Sequence, residues 1–514
     1  MKNHSIYLVG LAVLVGSLAA MALGFVPRSF AFIIFLVQAA LLIGVSLPQA
    51  AVWFLVFVPW SFALPISEGL DTLGIWRILA LILALRWLKV AGLKGLKTAV
   101  RQAPRLLKWA LIAAMAWLGW AGLGILMARS PWVLGLKQLL FSANALVLLP
   151  LYADLFKKHE IVRNQLITAG YRSLGAALLV GLFQQVAVFF VSLADFWQWW
   201  AAQVVPIFSG WATGTLLTFS NTWFSYWPGD LATLRSFGVF PNSHSYALAA
   251  LLWLILATAH WANNSQPRRW PGRLAVFMGL LFVVLSGTRG AWVSAILLLI
   301  IWLWGLLKTG TVMSRLRNVA GPALILFVLA LPIGSAIWGG SLAAELARTG
   351  RATDLSFLSL IRARSIFDFD ETSNKGRLEI WRGSVAGVLK SPVFGVGLGN
   401  FPSVLNESLN RSRAGSSAHS LYLQYAVETG LAGLFMMLVF GGAILAHAFK
   451  TARSSVSGTA LFGGATAIYF IWLFGYSVVD VVLLNDRLIA LFMVLTGLLF
   501  SFHVNSKPTQ GASK

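Results

Sequence analysis

The sequence predicts an all-α polytopic membrane protein with about 12–14 transmembrane helices. Three observations lead to this fold class. The 514 residues are 58% hydrophobic and only 11% charged, with a mean hydropathy of +0.80, whereas roughly a quarter of the residues of a soluble domain are charged. Apolar windows of about 20 residues, long enough to cross the hydrocarbon core of a bilayer, recur along the chain. These windows are continuous rather than alternating, which favours helices over the strands of a barrel.

The hydropathy pattern predicts fourteen spans. They lie at about 6–25, 30–47, 50–66, 73–90, 107–127, 132–151, 167–192, 243–261, 271–286, 290–307, 321–338, 419–447, 459–478 and 487–503. The first span follows Lys2 and ends in "GFVPRS", which is a poor cleavage site. We therefore expect a retained first helix rather than a signal peptide.

The net charge of +23 indicates membrane topology rather than nucleic-acid binding. If the N-terminus lies inside, the short basic loops fall on the cytoplasmic side, as the positive-inside rule requires. The loop after the fourth span is the clearest case, because it carries many cations and no acid. Its basic residues are Arg86, Lys89, Lys94, Lys97, Arg101, Arg105 and Lys108. Both termini are then cytoplasmic.

This topology divides the chain into four parts. They are N-terminal transmembrane helices (1–192), central transmembrane helices with outer-face arginines (193–338), a large periplasmic loop (339–418) and C-terminal transmembrane helices (419–514). Within the loop, "KGRLEIWRGSVAGVLKS" predicts a helix. The Trp-rich outer segment 193–242 is more typical of an interfacial belt than of a sugar-binding platform. The sequence contains no cysteine, which excludes disulfides, zinc–cysteine sites and thiol chemistry.

Two of the seven histidines, His244 and His419, fall at the predicted outer face. A reaction there that needs a base near neutral pH would use one of these imidazoles. Arg235 precedes the eighth span, and Arg289 lies in a tight turn at the start of the tenth. Both of these spans, and the twelfth, begin at the outer face, so their helix N-termini can bind an anion such as a diphosphate.

Polar residues at these helix starts are expected to be N-caps, namely Asn242 or Ser243 for the eighth span and Ser416 or Ser417 for the twelfth. Glu428 is an ionisable group within the twelfth span and is therefore a functional candidate. Nine residues of an ideal helix turn through about 180°, so we expect Glu428 to face away from His419 and to meet another helix. Each cation also has a structural interpretation, because an arginine at a membrane edge is often only an anchor.

Four segments together resemble the O-antigen ligase and O-antigen polymerase superfamily. They lie within roughly 230–435 and read "RSFGVFPNSHSYA", "LSGTRGAW", "GRLEIWRGSVAGVLKSPVFGVGLGNF" and "AHSLYLQYAVETGLAGL". Each string is weakly specific, whereas their order and spacing are fairly specific. The resemblance implies a GT-C-like bacterial inner-membrane enzyme that transfers a glycan from undecaprenyl diphosphate to an acceptor hydroxyl at the periplasmic face.

The resemblance also assigns roles to residues. Arg235 and Arg289 match the arginines that hold the diphosphate, and Arg377 in the "GR…W" motif is expected to contact phosphate or order the loop. His419 matches the histidine that takes the proton from the acceptor, with inversion at the anomeric carbon. Possible supporting residues are His244, Asn242, Glu428 and Trp381. Family members of this kind work without a metal or other cofactor, which fits the absence of an outer-face DxD motif; the nearest string is "DFD" at 368–370.

Several alternatives remain open at this stage. The acceptor is lipid A–core or a related glycolipid for a ligase, a growing glycan for a polymerase, or a protein. Fourteen spans exceed the twelve expected of a typical ligase, and His244 is a second candidate base. A transporter or channel would place ionisable groups near the bilayer midplane, whereas these spans are nearly free of charge.

Overall fold

The computed structural model is 82% helical, which confirms the all-α fold class. It describes residues 2–66, 74–127, 132–210, 220–227, 231–262, 269–308, 310–350, 372–409, 417–484 and 486–502. The first helices are α1 Lys2–Ala22, α2 Ala31–Gly44, α3 Leu47–Phe57, α4 Trp76–Arg101, α5 Arg105–Met127, α6 Trp132–Leu146, α7 Leu148–Lys158, α8 Glu160–Ala187, α9 Leu193–Trp199 and α10 Val205–Ser209.

The second half of the chain begins with a short antiparallel hairpin, β1 Phe224–Trp227 and β2 Leu231–Leu234. The helices that follow are α11 Ser243–Ala262, α12 Arg269–Leu285, α13 Arg289–Ser294, α14 Ile296–Leu307, α15 Thr311–Thr349, α16 Thr372–Lys390, α17 Phe401–Leu409, α18 Leu421–Thr451, α19 Ser457–Tyr476 and α20 Asp486–Ser501.

Nine helical segments of the described residues are long and apolar enough to cross a membrane. Four shorter apolar helical segments accompany them, at Arg28–Gly44, Leu47–Trp60, Trp270–Leu285 and Arg487–Ser501. Together with α4, these helices overlap all fourteen predicted spans. The chain is thus a multi-pass membrane protein, as its composition predicts.

The helix that contains the eleventh predicted span is longer than that span. Hydropathy places it at about 321–338, but α15 runs without interruption over 39 residues. At about 1.5 Å per residue such a helix is roughly 58 Å long, nearly twice the thickness of the hydrocarbon core. One or both ends of α15 must therefore stand outside the bilayer, and the predicted loop that starts at 339 is helical as far as Thr349. The helix predicted inside that loop is confirmed as α16.

Among the nine long apolar helices of the described residues, α11 is the most enclosed, with 83% of its apolar window buried. It packs against α8, α12 and α19, while α18 packs along α5 and α20 packs along α7. The C-terminal helices therefore pack against the N-terminal ones around a common core. The surface of helices such as α14 is apolar and exposed, for example at Ile296, Ile300 and Leu307. Exposed apolar surface of this extent is expected where the surrounding solvent is lipid.

The described tryptophans of segment 193–242 largely pack onto the bundle. Trp200, Trp223 and Trp227 are buried, and the ring of Trp223 stacks on Phe237 with 4.6 Å between centroids. An interfacial belt would leave these rings at the surface, so that interpretation is wrong for these three residues. Trp211 lies outside the described residues.

Candidate active site

A polar cavity of about 410 Å³ lies where α11 and α18 begin and α19 ends. Its size is typical of small-molecule sites. It is lined by Gln138, Thr222, Asn242, His244, Ser245, Gly399, Pro402, Ser417, His419, Gln424, Glu428, Asp480, Val481, Val482 and Leu484. Both predicted outer-face imidazoles therefore face one cavity, although they are far apart in the sequence.

His419 lies in the loop just before α18 rather than on the helix. It has a φ of 46°, and no other non-glycine residue in the described part of the chain has a positive φ. The N-cap of α18 is Ser420, whose side chain accepts a hydrogen bond from the Leu423 amide. The expectation that Ser417 caps this helix is therefore wrong, and Ser416 lies outside the described residues.

Asp480 is the main site residue that the sequence did not reveal. It follows α19, and its Oδ2 forms an ion pair with His244 Nδ1. The Tyr476 hydroxyl lies 3.0 Å from the same His244 nitrogen and donates to Asp480 Oδ2 at 3.3 Å. The carboxylate and the phenol thus hold one imidazole in a fixed orientation. The available sequence signal was an isolated acid directly after the thirteenth span, at the predicted outer face.

Burial and neighbouring charges set the protonation states of Asp480 and His419. Burial would raise the pKa of Asp480, but His244, His419 and Arg377 lower it to about 2, so this carboxylate is ionised. Burial lowers the pKa of His419 to about 4, and Arg377 and His244 act in the same direction against the opposing effect of Asp480. The imidazole of His419 is therefore neutral at physiological pH and can accept a proton.

Arg235 holds the turn that precedes α13. Its guanidinium donates from Nε to the Ser286 carbonyl (3.1 Å), from Nη1 to the Thr222 carbonyl (3.3 Å) and from Nη2 to the Gly287 carbonyl (2.6 Å). Gly287 has a φ of +61°, and a side chain there would press against Arg235. Arg289 begins α13 directly after this turn. Arg235 thus fixes the backbone from which Arg289 projects.

Arg289 and Arg377, two of the predicted phosphate-binding arginines, both lie within electrostatic range of the third, Arg235. Burial lowers the pKa of Arg235 to about 10, and the charges of Arg289 and Arg377 contribute to this shift. Arg235 therefore remains charged at neutral pH. None of the three lines the cavity, but the charge of Arg377 also reaches His419 and Asp480. Arg235 and Arg377 therefore act on the cavity through their charge rather than by forming its wall.

The remaining supporting candidates differ in position. Asn242 lines the cavity and also caps α11, because its Oδ1 accepts from the backbone and hydroxyl of Ser245, both at 2.8 Å. The cap predicted at Asn242 or Ser243 is thereby assigned to Asn242. Trp381 is half-buried on α16, one helical turn after Arg377. Its indole N–H is buried without a hydrogen-bond partner among the described residues.

Glu428 lines the same cavity as His419, so the expectation that it faces away is wrong. The ideal-helix geometry fails because His419 precedes the helix. Glu428 is 4% exposed, and its Oε1 accepts from Gln424 Nε2 at 2.8 Å. The carboxylate also accepts from the backbone amides of Gly399 and Phe401, and so does meet a neighbouring segment.

Within the described residues, no group of three or more His, Asp or Glu side chains has an arrangement that could hold a metal ion. The "DFD" string at 368–370 lies outside those residues.

Comparison with known proteins gives one match. Residues 274–438, about a third of the chain, match the family model described as O-antigen ligase. This region includes Arg289, Arg377 and His419, whereas Arg235 and Asp480 lie on either side of it. No curated protein matches the chain. The family match supports a function of the O-antigen ligase or polymerase type, and the resemblance to the O-antigen ligase superfamily predicted from the sequence is confirmed over these residues.

Proposed function

We propose that this protein is a metal-independent, inverting glycosyltransferase. It moves a glycan from undecaprenyl diphosphate to a hydroxyl of lipid A–core or a related glycolipid, at the periplasmic face of the bacterial inner membrane. The observation that carries the proposal is a neutral, half-buried imidazole, His419, in a polar cavity within electrostatic range of Arg377 and Arg235, inside a multi-pass helical bundle.

The arginines would bind the donor. A diphosphate ester carries two negative charges, and a guanidinium can donate two parallel hydrogen bonds to phosphate oxygens. We assign direct contact to Arg289 and Arg377. Arg235 contributes its charge from beneath the turn and fixes the backbone before Arg289. As the bond from the anomeric carbon to the phosphate oxygen breaks, these fixed cations stabilise the charge that develops on the leaving undecaprenyl diphosphate.

His419 would act as the general base. Its imidazole takes the proton of the acceptor hydroxyl while that oxygen forms a bond to the anomeric carbon, opposite the departing diphosphate. Such a direct displacement inverts the configuration of the sugar. The contacts of His244 with Asp480 and Tyr476 use Nδ1, so we assign its Nε2 to hydrogen bonding with the bound glycan or acceptor.

The decisive variant is His419→Ala. With purified protein, lipid-linked donor and glycolipid acceptor, we expect transfer to fall by roughly two to four orders of magnitude, because the loss of a general base has effects of about this size. Donor binding and thermal stability should change little. His159→Ala is the matched control, since this imidazole is exposed and distant from the cavity. Wild-type turnover by His419→Ala would remove His419 from the mechanism.

The binding role of the cations is tested by Arg289→Ala. We expect the donor KM to rise by about 10-fold or more, in line with the loss of a charged hydrogen bond, while the fold is retained. Arg273→Ala, at an exposed position on α12, is the control. An unchanged donor KM would exclude Arg289 from the diphosphate site. Activity should also survive exhaustive chelation; a loss that Mg²⁺ restores would refute the metal-independent mechanism.

A polymerase that joins repeat units on the same carrier is the second candidate, because the family match supports both activities and fourteen predicted spans exceed the twelve expected of a typical ligase. The two are distinguished by incubating the protein with lipid-linked donor alone. A product ladder identifies a polymerase, whereas a single product that appears only with the glycolipid identifies a ligase.

A further inference from the structure

The backbone of His419 is held in a conformation that residues with a side chain rarely adopt. Its φ of 46° lies in the left-handed region, which is unfavourable for residues other than glycine, asparagine and aspartate. Such conformations persist only where the surroundings hold them in place. The neighbouring contacts must therefore include a group that holds the Ala418–His419 segment.

That group is a buried chain of two hydrogen bonds. The Ala418 amide donates to Gln424 Oε1 at 2.8 Å, and Gln424 Nε2 donates to Glu428 Oε1 at 2.8 Å. Ala418, Gln424 and Glu428 are 0%, 5% and 4% exposed, respectively. Water therefore has little access to compete for these bonds.

The chain of bonds continues beyond Glu428. Its carboxylate accepts from the amides of Gly399 and Phe401, and its backbone carbonyl accepts from Gly397 at 3.1 Å. Gly397 and Gly399 lie in the turn between α16 and α17, and Phe401 begins α17. Glu428 is thus anchored to a separate segment, which gives Gln424 a fixed point to bind.

A carboxylate at 428 also dictates the orientation of the Gln424 amide. The carboxyl oxygens accept from Gln424 Nε2 and from the amides of Gly399 and Phe401, so the amide turns its NH₂ group towards Glu428. Its carbonyl oxygen then faces the Ala418 amide, which can only donate. The flipped amide would bring two acceptors together at one end and two donors at the other.

We propose that Glu428 is a positioning residue for His419 and acts through Gln424, which it orients to hold the Ala418 amide. This inference rests on the proposed role of His419 as the base. Glu428 itself takes no proton from the acceptor and makes no bond to the donor.

The test exchanges the side chains of Gln424 and Glu428. Gln424→Glu places two carboxylates against each other and should lower kcat by about 10–100-fold, the effect expected of a catalytic group displaced by about 1 Å. The donor KM should change by less than about 3-fold, because the arginines are untouched. In Gln424→Glu/Glu428→Gln, the carboxylate introduced at position 424 again accepts from the Ala418 amide. The amide introduced at position 428 then donates to that carboxylate. This double variant should recover kcat to within about 3-fold of the wild-type value.

Thr429→Val is the matched control. Thr429 is buried next to Glu428, and its hydroxyl donates only within the helix, to the Tyr425 carbonyl at 2.7 Å. Its removal should leave kcat unchanged. Loss of activity in the double variant, equal to that in Gln424→Glu, would overturn the proposal and indicate that a carboxylate is needed at 428 itself. Wild-type kcat in Gln424→Glu would overturn it as well.

A second measurement does not depend on turnover. The rate at which diethyl pyrocarbonate modifies His419, followed by mass spectrometry, reports how the imidazole is held. We expect this rate to change in Gln424→Glu and to return to the wild-type value in the double variant. If Gln424→Glu does not fold, a folded and active double variant still supports the proposal, whereas an unfolded one refutes it. Failure of the wild-type protein to transfer glycan would refute the proposed function, and the modification rates would still decide the positioning role.

Discussion

At the scale of single residues, the two imidazoles of the cavity have different environments. His244 is held by a carboxylate and a phenol, whereas burial and the charge of Arg377 keep His419 neutral. A neutral imidazole is ready to take a proton, but a low pKa also makes it a weak base. Binding of a doubly negative diphosphate would raise the pKa of His419 and so increase its basicity when substrate is present.

The low pKa of His419 predicts the pH dependence of transfer. In the free protein the pKa of His419 is about 4, so kcat/KM should be flat from neutral pH down to about pH 5 and fall near pH 4, where the base becomes protonated. Because bound diphosphate favours the imidazolium, the acidic limb of kcat should lie at higher pH than that of kcat/KM. Initial rates measured across this range check both limbs. A kcat/KM limb near pH 6.5 would mean that a solvated imidazole controls the reaction.

The His244–Asp480 pair predicts non-additive variants. His244→Ala and Asp480→Ala should each lower kcat by about 10-fold or more, and the double variant should be no worse than the poorer single one, because each change removes the same interaction. Transfer rates of all four proteins complete the cycle. Glu160→Ala, at an exposed carboxylate far from the cavity, is the control. Additive losses would show that the two residues act separately.

At the scale of elements, the break in α18 shapes the cavity. Gly430 has φ and ψ of 71° and 179°, which interrupts the helix just after Glu428. The amides freed by the break bind the preceding segment: Leu431 donates to the Pro392 carbonyl at 2.8 Å. In turn, Val396 donates to the Val427 carbonyl at 2.8 Å. The interruption therefore fixes the α16–α17 turn beside the cavity.

Gly430→Ala should disrupt this element. The new methyl group would overlap the Val393 carbonyl, and alanine is unfavourable at this positive φ. We expect a loss of stability of about 2 kcal/mol or more, from strain and displaced backbone. Gly442→Ala on the same helix has open space around it and should be neutral or more stable by up to about 1 kcal/mol. Thermal unfolding in detergent compares the two. Equal stability of both variants would contradict the importance of the break.

At the scale of the whole molecule, the cavity lies at one end of the bundle, and the distribution of cations predicts that this end faces the periplasm. Lys390 ends α16, in the segment predicted to be periplasmic, whereas Lys158 ends α7 and belongs to a predicted cytoplasmic loop. The two positions should therefore lie on opposite sides of the membrane.

Because the sequence contains no cysteine, this topology can be tested by labelling introduced cysteines without background from native thiols. In intact spheroplasts, a membrane-impermeant maleimide should label Lys390→Cys but not Lys158→Cys. The second variant should react only after permeabilisation. The wild-type protein, which cannot be labelled, is the control. The reverse pattern would place the cavity in the cytoplasm and exclude the proposed periplasmic reaction.

The sequence by itself determined the class of the molecule and much of its helical layout. A backbone in hydrocarbon must satisfy its own hydrogen bonds, so long apolar windows leave helices as the natural solution, and all fourteen predicted spans overlap helices. The motifs also indicated His419 and Arg289 as candidates, because these residues occur in recognisable strings at helix starts.

Only the tertiary structure decided how these residues are arranged. The roles of Asp480 and Gln424 could not be read from the sequence, since their partners are set by how separate helices and loops meet. The ideal-helix estimate failed for Glu428 because His419 lies before the helix, in a left-handed backbone conformation. Local periodicity is fixed by short-range sterics and hydrogen bonding, whereas a cavity is formed by contacts between segments that are distant in the chain.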